Sequence, residues 1–234
     1  MNLLAIDSAA SLLSVAVAAA GQTWYSQAEA GTKHSELVMD SVDALMKKAG
    51  IAPRDLEGIL CMGGPGSFTG LRIGFSIAKG LSLSLGIPFA AIPTLDCAAM
   101  PCSGWPGPVL PVIAARKNAF FYALYQSGKR LGPDMDAESG EIAEVIAGLP
   151  DAQKVLLAGP DADKLHAILL DRDAGIPAGK FELASAPEHG YAGVLLEIAE
   201  KTNIFDTDTA AWLFAGPEYI RKSDAEMNLK NSLP

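Results

Sequence analysis

Cysteine is scarce in this chain of 234 residues: Cys61, Cys97 and Cys102 are the only three, and no two form a C-x-x-C pair. An odd number without paired spacing argues against a disulfide framework and suits a reducing compartment. Histidine is equally sparse. His166 and His189 have no histidine three or four residues away, so no helical pair of metal ligands exists, and both read as surface or capping residues. His34, in "HSE", fits the H-x-E half of a zinc deaminase motif, but Pro101-Cys102 is followed by Ser-Gly-Trp and lacks the second cysteine of the other half. Positive charge is also short, with 18 Lys and Arg against 27 Asp and Glu for a net of −9. A broad phosphate-binding face is therefore excluded, and any nucleic acid would be held mainly by a partner. The longest apolar stretch, around residues 73–92, is interrupted by Lys79 and Pro88, which argues against a membrane span. "MNLLAIDSAA" lacks the basic segment and long apolar run of a signal peptide. Together these absences read as a soluble cytoplasmic protein.

Half of the residues are hydrophobic and 19% are charged, the balance of a folded chain with a sizeable core. "LLAI" (3–6), "LLSVAVAAA" and "TWYSQAE" predict three strands joined by tight turns. Val38, Val42, Leu45, Met46 and Ala49 recur at helical spacing, and Gly50 with Pro53 marks the stop. "LEGILCM" predicts a strand, followed by a glycine-rich turn, a helix to about Leu85 and the strand "IPFAAI". This β-β-β-α-β-α-β order describes one α/β lobe. "PCSGWPGP" (101–108) is the best boundary, dividing the chain into residues 1–102 and 103–234. Beyond it, "VLPVIAA" and "AFFYALYQ" predict strands, helices are expected near 161–170 and 190–201, and "KSDAEMNLKNSLP" reads as a polar tail.

"MGGPGSFTGLRIG" (62–74) invites three readings. A Walker A loop needs Gly-Lys after four intervening residues, and none occurs. Gly64, Gly66 and Gly70 are spaced one residue too long for a dinucleotide fingerprint, and Ser67 lies between Gly66 and Phe68, not in G-x-S-x-G. What survives is a strand-to-helix turn. On the helix, Gly70, Gly74, Ala78 and Ser82 make one small ridge, and Arg72, Ser76, Gly80 and Ser84 make another, beside Ile73, Ile77, Leu81 and Leu85. Glycine costs a helix about 1 kcal/mol relative to alanine, so another backbone should approach closely, from the second lobe or from a partner chain. If the first ridge faces a partner, Gly74→Leu should keep the fold and push that partner away. Asp7-Ser8, at a strand end, would face a phosphate or simply open the hairpin turn.

Six stretches spread over nearly the full length, "LLAIDSAASLLSVAV", "KHSELVMDSVDALMKKAGI", "GPGSFTGLRIGFSIAKGLSLSLGIP", "IPTLDCAA", "AARKNAFFYALY" and "GPEYIRK", resemble the bacterial TsaB (YeaZ) family of tRNA threonylcarbamoyladenosine synthesis. The resemblance implies an α/β, actin/Hsp70-like (ASKHA) fold of two lobes, each a mixed β-sheet flanked by helices. It implies a non-catalytic scaffold or activator of TsaD, the relative that transfers threonylcarbamoyl to the adenosine beside the anticodon, with the ATPase TsaE joining the pair. The two helices of the first lobe would bundle with TsaD, or with a second copy when the chain is alone. The interface residues would be His34, Leu37, Val38, Ser41, Gly70, Leu71, Ile73, Gly74, Ile77, Ala78 and Leu81. tRNA would be reached through the complex.

The resemblance also implies losses. TsaD carries a metal-binding N-H-L-E-G-H stretch; here Thr94 and Ala98 of "PTLDCAA" stand where its histidines would be, and neither replaces imidazole. Ala114-Ala115-Arg116 replaces the Asp-Ala-Arg frequent in the family, and Asn118-Ala119 replaces a Gly-Glu. The chain would thus be no enzyme by itself and need no cofactor, with at most weak binding of ATP or ADP at Asp7 and Ser8; metal and ATP would belong to its partners. A small-molecule kinase or ATPase of the same superfold is the alternative.

Overall fold

A computed structural model of the chain describes residues 1–31, 33–150, 153–171, 176–177, 179–202, 204–206 and 216–220. The predicted tail from residue 222 lies outside them. β1 (Leu3–Asp7), β2 (Leu12–Ala19) and β3 (Gln22–Glu29) form an antiparallel meander, with Ala20 and Gly21 at positive φ supplying the tight turn between β2 and β3. β4 (Gly58–Gly64) pairs parallel with β1, and β5 (Phe89–Pro93) pairs parallel with β4, giving the order β3-β2-β1-β4-β5. Alternation along β1 sends Leu4 and Ile6 to one core and Leu3 and Ala5 to another. The first core is closed by α1 (His34–Ala49) and α2 (Phe68–Leu85). The second is closed by α3 (Thr94–Ala99) and α6 (Gly190–Lys201), which lie between this sheet and the next.

The second sheet follows the path β10-β7-β6-β11-β12. Its members are β6 (Pro108–Arg116), β7 (Ala119–Tyr122), β10 (Met135–Glu138), β11 (Val155–Ala158) and β12 (Phe181–Leu183), with β8 (Tyr125–Gln126) also on β6 and β9 (Lys129–Arg130) paired to β8. α4 (Ser139–Gly148) and α5 (Ala162–Asp171) complete a third core on its outer face. "AFFYALYQ" is therefore two strands: β7 runs along Val112–Arg116 and β8 along Pro108–Val109. The expected boundary at residues 102 and 103 falls between the short 3-10 turn Met100–Cys102 and β6. The spatial division is less simple, because α6 comes from the second half of the sequence and covers the first sheet. Ser14 of β2 makes this concrete: its hydroxyl accepts the Ala192 N–H in the first turn of α6 at 3.0 Å. Gly190, at φ +65, leaves the room that a Cβ would take from Ser14.

Candidate partner-binding face

Five glycines of the turn and the helix after it serve contacts within the chain. A Cβ on Gly63 would meet the Ile92 backbone at 3.2 Å, on Gly64 the Glu218 carbonyl oxygen at 2.5 Å, and on Gly66 the Ala9 carbonyl oxygen at 2.8 Å. On Gly70 it would overlap the Ser8 carbonyl oxygen, and on Gly74 it would sit 2.7 Å from the Ser8 hydroxyl. Ser67 N–H donates to Ala9 O at 2.7 Å, and the Ser8 hydroxyl donates to Gly70 O at 2.8 Å. The turn thus clamps α2 onto the β1–β2 connection. The helix N-terminus is closed as well, since the Ser67 side chain accepts from Gly70 N–H at 3.2 Å.

This clamp corrects the expected orientation of α2. Gly70, Leu71, Gly74, Phe75, Ala78 and Ser82 are its buried residues, with Phe75 meeting Phe89 edge-on. On α1, His34 and Val38 are buried too, and His34 Nε2 lies 2.9 Å from the Ala10 carbonyl. Six of the residues expected at a partner interface (His34, Val38, Gly70, Leu71, Gly74 and Ala78) therefore pack inside their own chain. Leu37, Ser41, Ile73, Ile77 and Leu81 are half-buried. The exposed row is the other small ridge, Arg72, Ser76, Gly80 and Ser84. Around Gly80 a Cβ would find open space. Met39 and Leu83 stand out from the same two helices at 44% and 68% exposure. Along the first half of α2 a groove of about 390 Å³ is lined by Phe68, Thr69, Arg72, Ile73, Ser76 and Ile77, with Ser35 of α1 on its other side. The sequence shows both small ridges. Which one faces out depends on Ser8, which no helical periodicity contains.

Asp7 and Ser8 are both buried. Asp7 is 2% exposed, and one of its oxygens accepts the Ala9 N–H at 3.0 Å. Burial pushes its carboxyl up to about 6, against the lowering pull of the Ala9 amide and the Ser14 hydroxyl. A separate cavity of about 290 Å³ lies past the ends of β11 and β12, lined by residues including Cys102, Gly159, Pro187 and Tyr191, but not by Asp7 or Ser8. Cys61 and Cys97 are buried thiols, pushed up by desolvation. The remaining histidines make ring contacts: His189 stacks on Tyr25 at 4.0 Å, and His166 meets Phe181 edge-on at 5.4 Å.

The profile of the family described as "TsaD: tRNA N6-adenosine threonylcarbamoyltransferase" matches residues 22–232. The chain belongs to this family. Within it, the chain is similar to proteins named tRNA threonylcarbamoyladenosine biosynthesis protein TsaB. That of Bacillus subtilis is 29% identical over 82% of each chain, and that of Escherichia coli is 27% identical over 91% of this chain and 97% of its own. The solved structure of YeaZ from Pseudomonas aeruginosa superposes with a TM-score of 0.71 at 23% identity, covering 94% of this chain and 99% of that one. The fold is of the actin/Hsp70-like type, with two mixed sheets flanked by helices.

At the position of the TsaD-type metal stretch, α3 buries Thr94 and Ala98 one turn apart, and the Thr94 hydroxyl has no hydrogen-bond partner. Asp96, between them, is committed elsewhere: the same oxygen accepts from Arg130 Nε at 3.0 Å and Nη2 at 2.8 Å, and from the Tyr125 hydroxyl. One hydroxyl, one methyl and an engaged carboxylate do not fit a transition metal. On the second sheet, the Ala114 amide donates to Asp161 at 2.8 Å, and Asp161 pairs with Lys164. A carboxylate thus occupies that amide. Among the described residues no helix is long and apolar enough to cross a membrane.

Proposed function

We propose that this chain is a non-catalytic scaffold and activator subunit in the synthesis of N6-threonylcarbamoyladenosine on tRNA, acting in the cytoplasm. It docks on a TsaD-type transferase through the outer face of α1 and α2, with a TsaE-type ATPase joining the pair. It pairs with a second copy when alone, and it meets tRNA through the complex. The observation that carries the reading is Gly80, a helical glycine with open space where a Cβ would be. The other glycines of α2 are explained by Ser8 inside the chain. This one weakens the helix by about 1 kcal/mol with no internal return, and a partner backbone laid along the Ser76–Gly80 row supplies the compensation. The half-buried Ile73, Ile77 and Leu81 and the exposed Leu83 give that partner apolar surface to cover.

The chemistry is the partners' part. Asp7 and Ser8 are turned into the fold, Thr94 and Ala98 offer no ligand pair, and Ala114 supplies no acid, so metal and ATP belong to the transferase and the ATPase. Binding of ATP or ADP by this chain alone is at most weak. For the kinase or ATPase alternative, the described residues of neither sheet carry a glycine-rich loop of the Walker type. The test is size-exclusion chromatography of the purified chain with a TsaD-type transferase, followed by a tRNA modification assay. Co-elution, and modification only when both are present, is the expected result. Separate elution, or ATP turnover by this chain alone that Asp7→Ala abolishes, overturns the reading.

A further inference from the structure

Arg72 is the sole charged residue among those lining the groove between α1 and α2. Its guanidinium lies over the Phe68 ring, 3.8 Å from the centroid, and its Nε–H donates to the Tyr219 hydroxyl at 3.1 Å. The two rings are themselves 4.8 Å apart. Tyr219 comes from the far end of the sequence and is pinned by its backbone: the Glu218 N–H donates to Gly63 O at 2.8 Å, and Gly64 leaves room for the Glu218 carbonyl. An arginine in solution loses considerable side-chain freedom when it binds. This one is already held, and none of the ion pairs among the described residues involves it.

We infer that Arg72, held in place by Phe68 and Tyr219, is the orienting anchor of this face and receives a carboxylate from the helix of the TsaD-type partner. The inference rests on the docking reading above. Its physical basis is charge complementarity. A partner laid over Ile73, Ile77 and Ser76 covers the guanidinium with them, and a covered cation without a counter-charge is strongly destabilising. The planar fork of arginine accepts a carboxylate through two parallel hydrogen bonds, and its Nη groups are the ones that Tyr219 leaves available. A phosphate of RNA is the weaker candidate, because Arg72 is the one cation lining the groove and the net charge of −9 opposes a polyanion. Tyr219 is then a positioning residue that acts through Arg72. The glycine pair 63–64 serves the same end by admitting the segment that carries it.

The full chain and the purified transferase are titrated against each other at several salt concentrations, with Arg72→Gln, Tyr219→Ala, their double variant and Gly80→Leu. Arg72→Gln is expected to weaken association about tenfold or more and to flatten its salt dependence. Tyr219→Ala should weaken it by a smaller factor, and that factor should vanish in the Arg72→Gln background, a coupling that a separate structural role would not produce. Tyr219 is 40% exposed, so the melting transition should stay cooperative. If it does not, Tyr219→Phe, which keeps the ring and removes the hydroxyl, should show the same coupling. Wild-type affinity for both Arg72→Gln and Tyr219→Ala, with Gly80→Leu disruptive, overturns the anchor and leaves the docking face standing. Wild-type affinity for all variants, Gly80→Leu included, overturns both. Unchanged affinity for the transferase with lost retention of tRNA assigns Arg72 to the nucleic acid and overturns the carboxylate.

Discussion

The Ser8 hydroxyl donates to the Gly70 carbonyl at 2.8 Å, and the Ser8 carbonyl oxygen occupies the space that a Cβ on Gly70 would need. This mutual contact sets the rotation of α2 about its own axis. It turns one small ridge against the β1–β2 connection and presents the other to solvent.

Gly70→Ala should destabilise the isolated chain by about 1–3 kcal/mol or more, because the added methyl meets backbone, which cannot move aside as a flexible side chain can. Gly74→Leu should also destabilise, since its Cβ would sit 2.7 Å from the Ser8 hydroxyl and displace the hydrogen bond that this hydroxyl donates to Gly70 O. This reverses the expectation that leucine at residue 74 leaves the fold intact. Urea denaturation checks both, and a midpoint equal to wild type for Gly70→Ala would refute the clamp.

At Gly80 the opposite sign is expected. Gly80→Ala should stabilise the isolated chain by about 1 kcal/mol through helix propensity. That corresponds to a rise of about 2–4 °C in Tm for a domain of this size. Gly80→Leu should keep the fold and lose co-elution with the transferase. Loss of stability in Gly80→Ala would show that the site is not open.

Asp7 predicts a pH dependence. Its folded pKa of about 6 lies above the ordinary 3.8, so between those values the native state holds a proton that the unfolded state releases. Stability from this group is then complete below pH 3.8 and falls as pH rises through about 6, by about 3 kcal/mol in all. Asp7→Asn, which keeps an oxygen for the Ala9 amide, should match wild type near pH 4 and exceed it at pH 8. Chemical denaturation across that range decides the matter, and a difference independent of pH would rule this origin out.

Charge sets the last expectation. With a net of −9, the isolated chain should show only weak tRNA binding at physiological salt and gain retention when the transferase is added. Tight, salt-sensitive binding by the chain alone in a mobility-shift assay would contradict this.

The strands and helices of the first half are legible in the sequence because each carries its own period. β1 to β3, α1, α2 and β5 lie within about two residues of their expected ranges, and Gly50 and Gly86 end α1 and α2 in the left-handed conformation. The shorter elements were less legible. β8 and β9 are two residues each, and α3 is a six-residue helix inside a mostly apolar segment, too short for any period to register. The specific glycine-rich string carries the family, and the lack of histidine, cysteine and basic residues is plain from composition. Tertiary structure alone decided which ridge of α2 faces out. Two rows of small residues on one helix have equal claim by periodicity, and the choice is made by Ser8 on another element. The same holds for Arg72. Its partners Phe68 and Tyr219 are 4 and 147 residues away, and only the passage of the Glu218 backbone across Gly63 and Gly64 brings the second of them to it.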